Sequence, residues 1–190
     1  MAWTEPTNPV GTYDPAYMTN LYGASWTTAW NTCIYGSPMQ TGADVLSNCT
    51  GYAQGRMLRI WLLNHPEFNP STQRTHPFTI FNRDAGEWKS IAENNGFTVL
   101  SEPRAGTVLV TGSHVAVVEK EENGSWLVSE SGYGTLPPFS YNTTLYKSGS
   151  NWYSSYASSP LVIGFIVIPD FSPEPVGRKG YDRRRRYRNI

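Results

Sequence analysis

Ser47-Asn48-Cys49-Thr50-Gly51-Tyr52-Ala53-Gln54-Gly55-Arg56, running on into the apolar stretch 57–63, is where irregular chain turns into a helix. Ser47 and Asn48 both suit the N-cap, where a side-chain oxygen accepts from the first free amides of a helix. Ala53, Met57, Ile60 and Trp61 then recur at helical spacing and form one apolar face. Arg56 and Arg59 fall mostly off that face. The helix, expected over 48–63, stops before His65-Pro66, because a residue preceding proline resists helical geometry. Cys49 therefore lies in the first turn, where the positive end of the helix dipole favours a thiolate.

Outward from that helix the chain sorts into two halves. The segment 1–42 is rich in Pro, Gly, Tyr, Trp and Thr and reads as irregular wrapping, with one possible helix over 24–35 whose Trp26 and Trp30 would anchor a core. Prolines 66, 70 and 77 make 66–82 a long loop, and His65 just before it and His76 within it read as solvated. A second helix is expected over 83–94, with Trp88, Ile91 and Ala92 on its apolar side and Asn95-Gly96 as a left-handed cap. From Thr107 the period changes to that of strands: 107–111, 114–120, 125–131 and 161–168, with 142–146 a weaker candidate. Helices followed by strands predict an α+β fold built on an antiparallel sheet. The expected organisation is an irregular wrap over 1–45, a core over 46–170 and a basic tail over 171–190.

The chain has 190 residues, enough for one domain with a real core. Its charged fraction of 16% and aromatic fraction of 14% exclude a disordered composition. Net charge is zero, but Arg178, Lys179, Arg183, Arg184, Arg185, Arg186 and Arg188 crowd the last segment, which reads as an appended polyanion-binding or packing element. No apolar run is long enough to span a membrane, and 1–6 lacks the features of a signal peptide. The two cysteines, Cys33 and Cys49, are too few for a disulfide framework, and the helix-start position of Cys49 favours reactivity over a Cys33–Cys49 bridge or an inert thiol.

A base for that thiol is available. His114 begins an apolar strand after the turn Thr111-Gly112-Ser113, so its ring projects from a rigid element. Reading Glu122-Asn123-Gly124 as a three-residue hairpin loop, with Gly124 in the left-handed position, sets Glu121 opposite Ser125, Glu130 opposite Ala116 and Gly132 opposite His114. Glu130 then lies diagonal to His114 on the same sheet face, able to orient the imidazole. A two-residue Asn-Gly turn would put the two side chains on opposite faces.

These residues carry a resemblance. The stretch Asn48 to Arg56 resembles the cysteine motif of CHAP domains, the cysteine- and histidine-dependent amidohydrolases/peptidases. Pro103-Arg104-Ala105-Gly106-Thr107 and Ser113-His114-Val115-Ala116-Val117-Val118-Glu119 resemble their histidine motif, and Ser129-Glu130-Ser131-Gly132-Tyr133 their acid motif. Trp88 before Asn95-Gly96-Phe97, and Gly164-Phe165-Ile166, match further landmarks. The resemblance implies a papain-like fold and peptidoglycan as substrate, with Cys49 as nucleophile, His114 as base then acid, and Glu130 as the orienting residue. The amide of Cys49 and the side chain of Asn48 are the candidate oxyanion donors. It further implies a bacteriophage lysin, held in the host cytoplasm until release to the wall or carried on the virion with other phage proteins. Two departures stand out. Gly132 occupies a place where many members have asparagine, and 41–47 holds a single acid, Asp44, so neither structural calcium nor any cofactor is expected. The competing readings are a non-catalytic wall-binding module, with Trp152-Tyr153 and Tyr156 suited to sugars, and a structural phage protein whose tail contacts nucleic acid.

Overall fold

The structure, a computed structural model, describes residues 48–62, 64–69, 72–73, 75–132, 140–155 and 160–169. The wrap over 1–45, the helix expected over 24–35, Cys33, Ser47, Tyr156 and the basic tail all lie outside the described residues. Helix α1 (Cys49–Trp61) comes first, then 3-10 turns at Pro77–Phe81 and Ala85–Glu87, then helix α2 (Trp88–Asn94). The strands follow as β1 (Val99–Leu100), β2 (Thr107–Thr111), β3 (Val115–Glu122), β4 (Ser125–Glu130), β5 (Ser140–Ser148), β6 (Asn151–Ser154) and β7 (Val162–Val167). They form one antiparallel sheet in the order β1-β7-β2-β3-β4-β5-β6. The expected α+β architecture, helices packed on an antiparallel sheet, is present.

The core explains why β2 and β3 read as nearly continuous apolar runs. Successive side chains alternate between faces, and both faces are buried. Val108, Val110, Val115 and Val117 join Ala53, Met57 and Leu58 of α1 and Trp88 of α2. Leu109, Ala116 and Val118 join Val128, Leu145 and Phe165 on the other side. Each such side chain taken out of water stabilises the fold by roughly 1.5–3 kcal/mol, so the two central strands form a stiff platform.

Helix α2 ends as expected. Phe97 N–H donates to the Ala92 carbonyl and Gly96 N–H to that of Glu93, with Gly96 at φ 77. Its first turn is wound as the separate 3-10 segment Ala85–Glu87. Strands β1 and β6 are only two and four residues long, and so were too short for a periodicity reading to find. No helix among the described residues is long and apolar enough to cross a membrane.

Three expectations are corrected. His76 is not a solvated loop residue: it is buried, and its Nδ1 accepts from Phe78 N–H as the cap of Pro77–Phe81. His65 stacks on Trp61 with ring centroids 3.9 Å apart. Arg56 is not off the buried face of α1 but is itself almost wholly buried.

The β3–β4 hairpin also differs from the expected one. Glu122 pairs with Ser125, so the loop is the two-residue turn Asn123-Gly124, not a three-residue one. Both residues have positive φ, 53 and 79, as the tight turn that matches strand twist requires. The extra residue sits instead in a bulge in β3, where the register shifts between Val118 and Lys120. Beyond it Val118 pairs with Val128 and Val117 with Ser129, which is the register the three-residue reading had predicted for the far end.

Candidate active site

Asn48 caps α1 with an extended backbone, and its Oδ1 accepts from both Thr50 N–H (2.8 Å) and Thr50 Oγ1 (2.6 Å). Its carbonyl receives the first intrahelical bond, from Tyr52 N–H. The two bonds to Oδ1 fix the side chain and leave its Nδ2 amide as the donor end. Cys49 follows as the first helical residue, a half-buried free thiol. No acidic residue stands in the first turn of the helix to offset its positive terminus.

His114 is held at its backbone by Thr111. Thr111 Oγ1 accepts from the amides of Ser113 (3.3 Å) and His114 (3.0 Å), and Thr111 N–H donates to the His114 carbonyl (2.8 Å). This buried threonine was not singled out from the sequence. The signal was there in Thr-Gly-Ser-His, since a threonine hydroxyl readily closes such a turn. The turn is also pinned from outside. A Cβ on Gly86 would stand 2.6 Å from the Gly112 carbonyl oxygen, so only glycine lets the 3-10 segment Ala85–Glu87 seat against it without a shift.

Glu130 ends β4, fully buried, with Oε2 2.7 Å from His114 Nε2. The Cys49 side chain also stands close enough to the ring to act on its pKa by hydrogen bonding and charge. Burial pulls the imidazole pKa down, but hydrogen bonds and charge from Cys49 and Glu130 outweigh it and raise the group from 6.5 to about 9. The structure thus brings Cys49, His114 and Glu130 together, with Asn48 adjacent. His65 and His76 belong to a separate aromatic cluster with Trp61, Phe68 and Phe78. A thiol, an imidazole and a buried carboxylate in sequence are the chemical groups that acyl transfer uses.

A second buried ionic group lies on the same elements. Arg56 of α1 grips Glu119 with two bonds, Nε to Oε1 at 3.0 Å and Nη2 to Oε2 at 2.9 Å, and Ser129 Oγ donates to Glu119 Oε1. Sequence reading placed Glu119 within the histidine motif but gave it no partner.

The CHAP domain family matches residues 38–132. The chain is also similar to the staphylococcal secretory antigen ssaA2 of Staphylococcus aureus, strains NCTC 8325 / PS 47, COL and N315. Identity in each case is 29% over 154 residues, covering 73% of this chain and 53% of the relative. The chain thus spans about half the length of these curated relatives. No solved structure matches.

Proposed function

The chain belongs to the CHAP family, and on that premise we propose that it is a cysteine-dependent peptidoglycan hydrolase. The observation that carries this reading is the His114 ring hydrogen-bonded to the Glu130 carboxylate, with the Cys49 side chain near enough to help raise its pKa. A lone buried histidine would be held neutral by desolvation, whereas this one is held charged.

The chemistry proceeds as follows. An imidazolium at His114 stabilises the Cys49 thiolate. The sulfur attacks the carbonyl carbon of an amide in the wall polymer. The resulting oxyanion is met by Cys49 N–H at the helix start and by Asn48 Nδ2. His114 gives its proton to the departing nitrogen, the C–N bond breaks and a thioester to Cys49 remains. Neutral His114 then takes a proton from water, the hydroxide attacks the thioester and the thiolate leaves. The Glu130 carboxylate holds the ring throughout. The bond cut is the one between N-acetylmuramic acid and L-alanine, or a peptide bond of the stem or cross-bridge.

We further place the protein as a phage lysin, released at lysis or carried on the virion, a reading supported by the sequence resemblance. The arginines of 178–188 would add contact with anionic wall polymers; removing 178–190 should then weaken wall binding and make it less salt-sensitive. The primary test is loss of turbidity of purified Gram-positive walls, followed by mass analysis of the fragments. New amino termini or free lactyl groups are expected. Intact walls after prolonged incubation with reduced, folded protein would defeat the proposal.

A further inference from the structure

The hairpin that carries His114 and Glu130 contains a choice of register that its turn does not make. In its first rungs Glu122 faces Ser125 and Lys120 faces Leu127. Continued without interruption, that register would set Val117 opposite Glu130. Val117 packs into the helix-side core, so Glu130 would share its face and turn away from His114. The bulge prevents this. Past it Val117 faces Ser129, and Glu130, the next residue, points to the other side, where it meets His114.

The residue that marks the bulge is Glu119, a carboxylate with no exposed surface. Both its oxygens are held by the Arg56 fork, and one is also held by Ser129. These groups sit on α1, β3 and β4; α1 carries Cys49, β4 carries Glu130, and His114 directly precedes β3. Ser129 and Glu130 are neighbours pointing to opposite faces, one bonded to Glu119 and the other to His114. For stability alone an apolar pair of similar volume serves as well as a buried ion pair. What the guanidinium fork adds is geometry, since it fixes both carboxylate oxygens at once.

We infer that Arg56, Glu119 and Ser129 form a positioning group that holds the β3 bulge and thereby selects the register in which Glu130 reaches His114. The inference rests on the proposed roles of Cys49 and His114, but it can be read without wall substrate. An unpaired Glu119 has no reason to leave the ladder, so the extra residue is free to re-enter it and shift β4 by one position. Deleting residue 119 removes the extra residue itself and leaves Val118 opposite Val128.

The test compares the full chain with three variants: Glu119→Gln, the double variant Arg56→Met/Glu119→Leu, and Arg56→Met with residue 119 deleted. The apolar double variant keeps the question answerable if Glu119→Gln, which leaves Arg56 buried without its counter-charge, fails to fold. The readouts are melting, the NMR titration of the His114 ring, the pH dependence of Cys49 alkylation by iodoacetamide, and kcat and KM on walls. The double variant is expected to melt cooperatively, to lose on the order of a hundredfold in kcat with little change in KM, and to show a His114 titration moved from about 9 toward 6.5. The deletion variant should recover the wild-type titration. A merely structural ion pair would leave the titration unmoved in every folded variant, and that result overturns the inference. So does a titration that is lost in the double variant and not restored by the deletion. A wild-type protein inert on walls but showing these titrations would count against the hydrolase reading alone.

Discussion

The start of helix α1 and the β3–β4 hairpin each deliver one half of the site, and they do so by different means. At the helix, Asn48, Cys49 and Thr50 are consecutive, and the cap that aims Cys49 is built from the side chain next to it. At the hairpin, His114 and Glu130 are sixteen positions apart, and their meeting depends on a bulge in β3 and on a buried ion pair that ties it to α1. Local capping is encoded in a few adjacent residues. Register is a sum over everything between two points, and a single added residue reverses its outcome.

The strongest way to break the local half is Cys49→Ala. Wall hydrolysis should fall by about 10⁴ or more, to the level left when a nucleophile is removed from such a constellation. Melting should hardly move, because Cys49 is only half-buried. Substantial lysis by this variant would remove the nucleophile from the proposal.

The non-local half is broken by Glu130→Gln, which preserves shape and removes charge. Turnover should drop on the order of a thousandfold, and the pH profile should change with it. In the wild type the folded pKa of His114 is raised from 6.5 to about 9, with Cys49 and Glu130 facing the ring. The stabilisation from its charged form is therefore complete below pH 6.5 and is lost as pH rises through about 9. Activity should share that alkaline limit, and in Glu130→Gln the limit should move to lower pH. Gly132 is not among the described glycines with positive φ, so its φ does not bar a side chain. Continued past Val117 and Ser129, the far register would set position 132 opposite His114, and Gly132→Asn should then partly rescue the variant. An unmoved alkaline limit in Glu130→Gln would mean that another group holds the ring.

The same contrast explains what could be read in advance. The helix start, the apolar face of α1 and strands β2, β3 and β7 follow from capping chemistry and periodicity, which are properties of neighbours. The pairing of His114 with Glu130 was also reached, through a loop that is not there: the residue assigned to Glu122-Asn123-Gly124 sits at Glu119. Parity can be inferred from which side chains must meet, but parity does not say where the odd residue goes. Arg56 and Glu119 escaped notice because each looks like an ordinary surface charge until the other is seen beside it. Thr111 and Gly86 act through backbone contacts that no side-chain pattern announces.

Asn48 gives a finer division within the local half, because capping and oxyanion binding use different atoms of one side chain. Serine caps about as well as asparagine but has no amide donor. Asn48→Ser should keep the melting temperature close to wild type and lower kcat on the order of a hundredfold. Asn48→Ala should show the same kinetic loss and also destabilise the fold by about 1 kcal/mol. Wild-type turnover in Asn48→Ser would confine Asn48 to capping.

The smallest effect on catalysis is expected at the turn itself, where a first reading of the hairpin would expect the largest. Gly124 has φ 79, a conformation that side chains resist, although a Cβ there would meet nothing within 4 Å. Gly124→Ala should therefore destabilise the protein by backbone strain alone, about 1–2 kcal/mol. The melting temperature should fall by a few degrees. If the turn set the register of the site, straining it would disturb the contact between His114 and Glu130, and kcat would fall with stability. If the register is set afresh at the Glu119 bulge, the strain ends there. The kcat of the folded variant and its alkaline limit near pH 9 should then match the wild type. Measuring both at a temperature well below melting separates the two, and a kcat loss beyond a few-fold would move the control of register back to the turn.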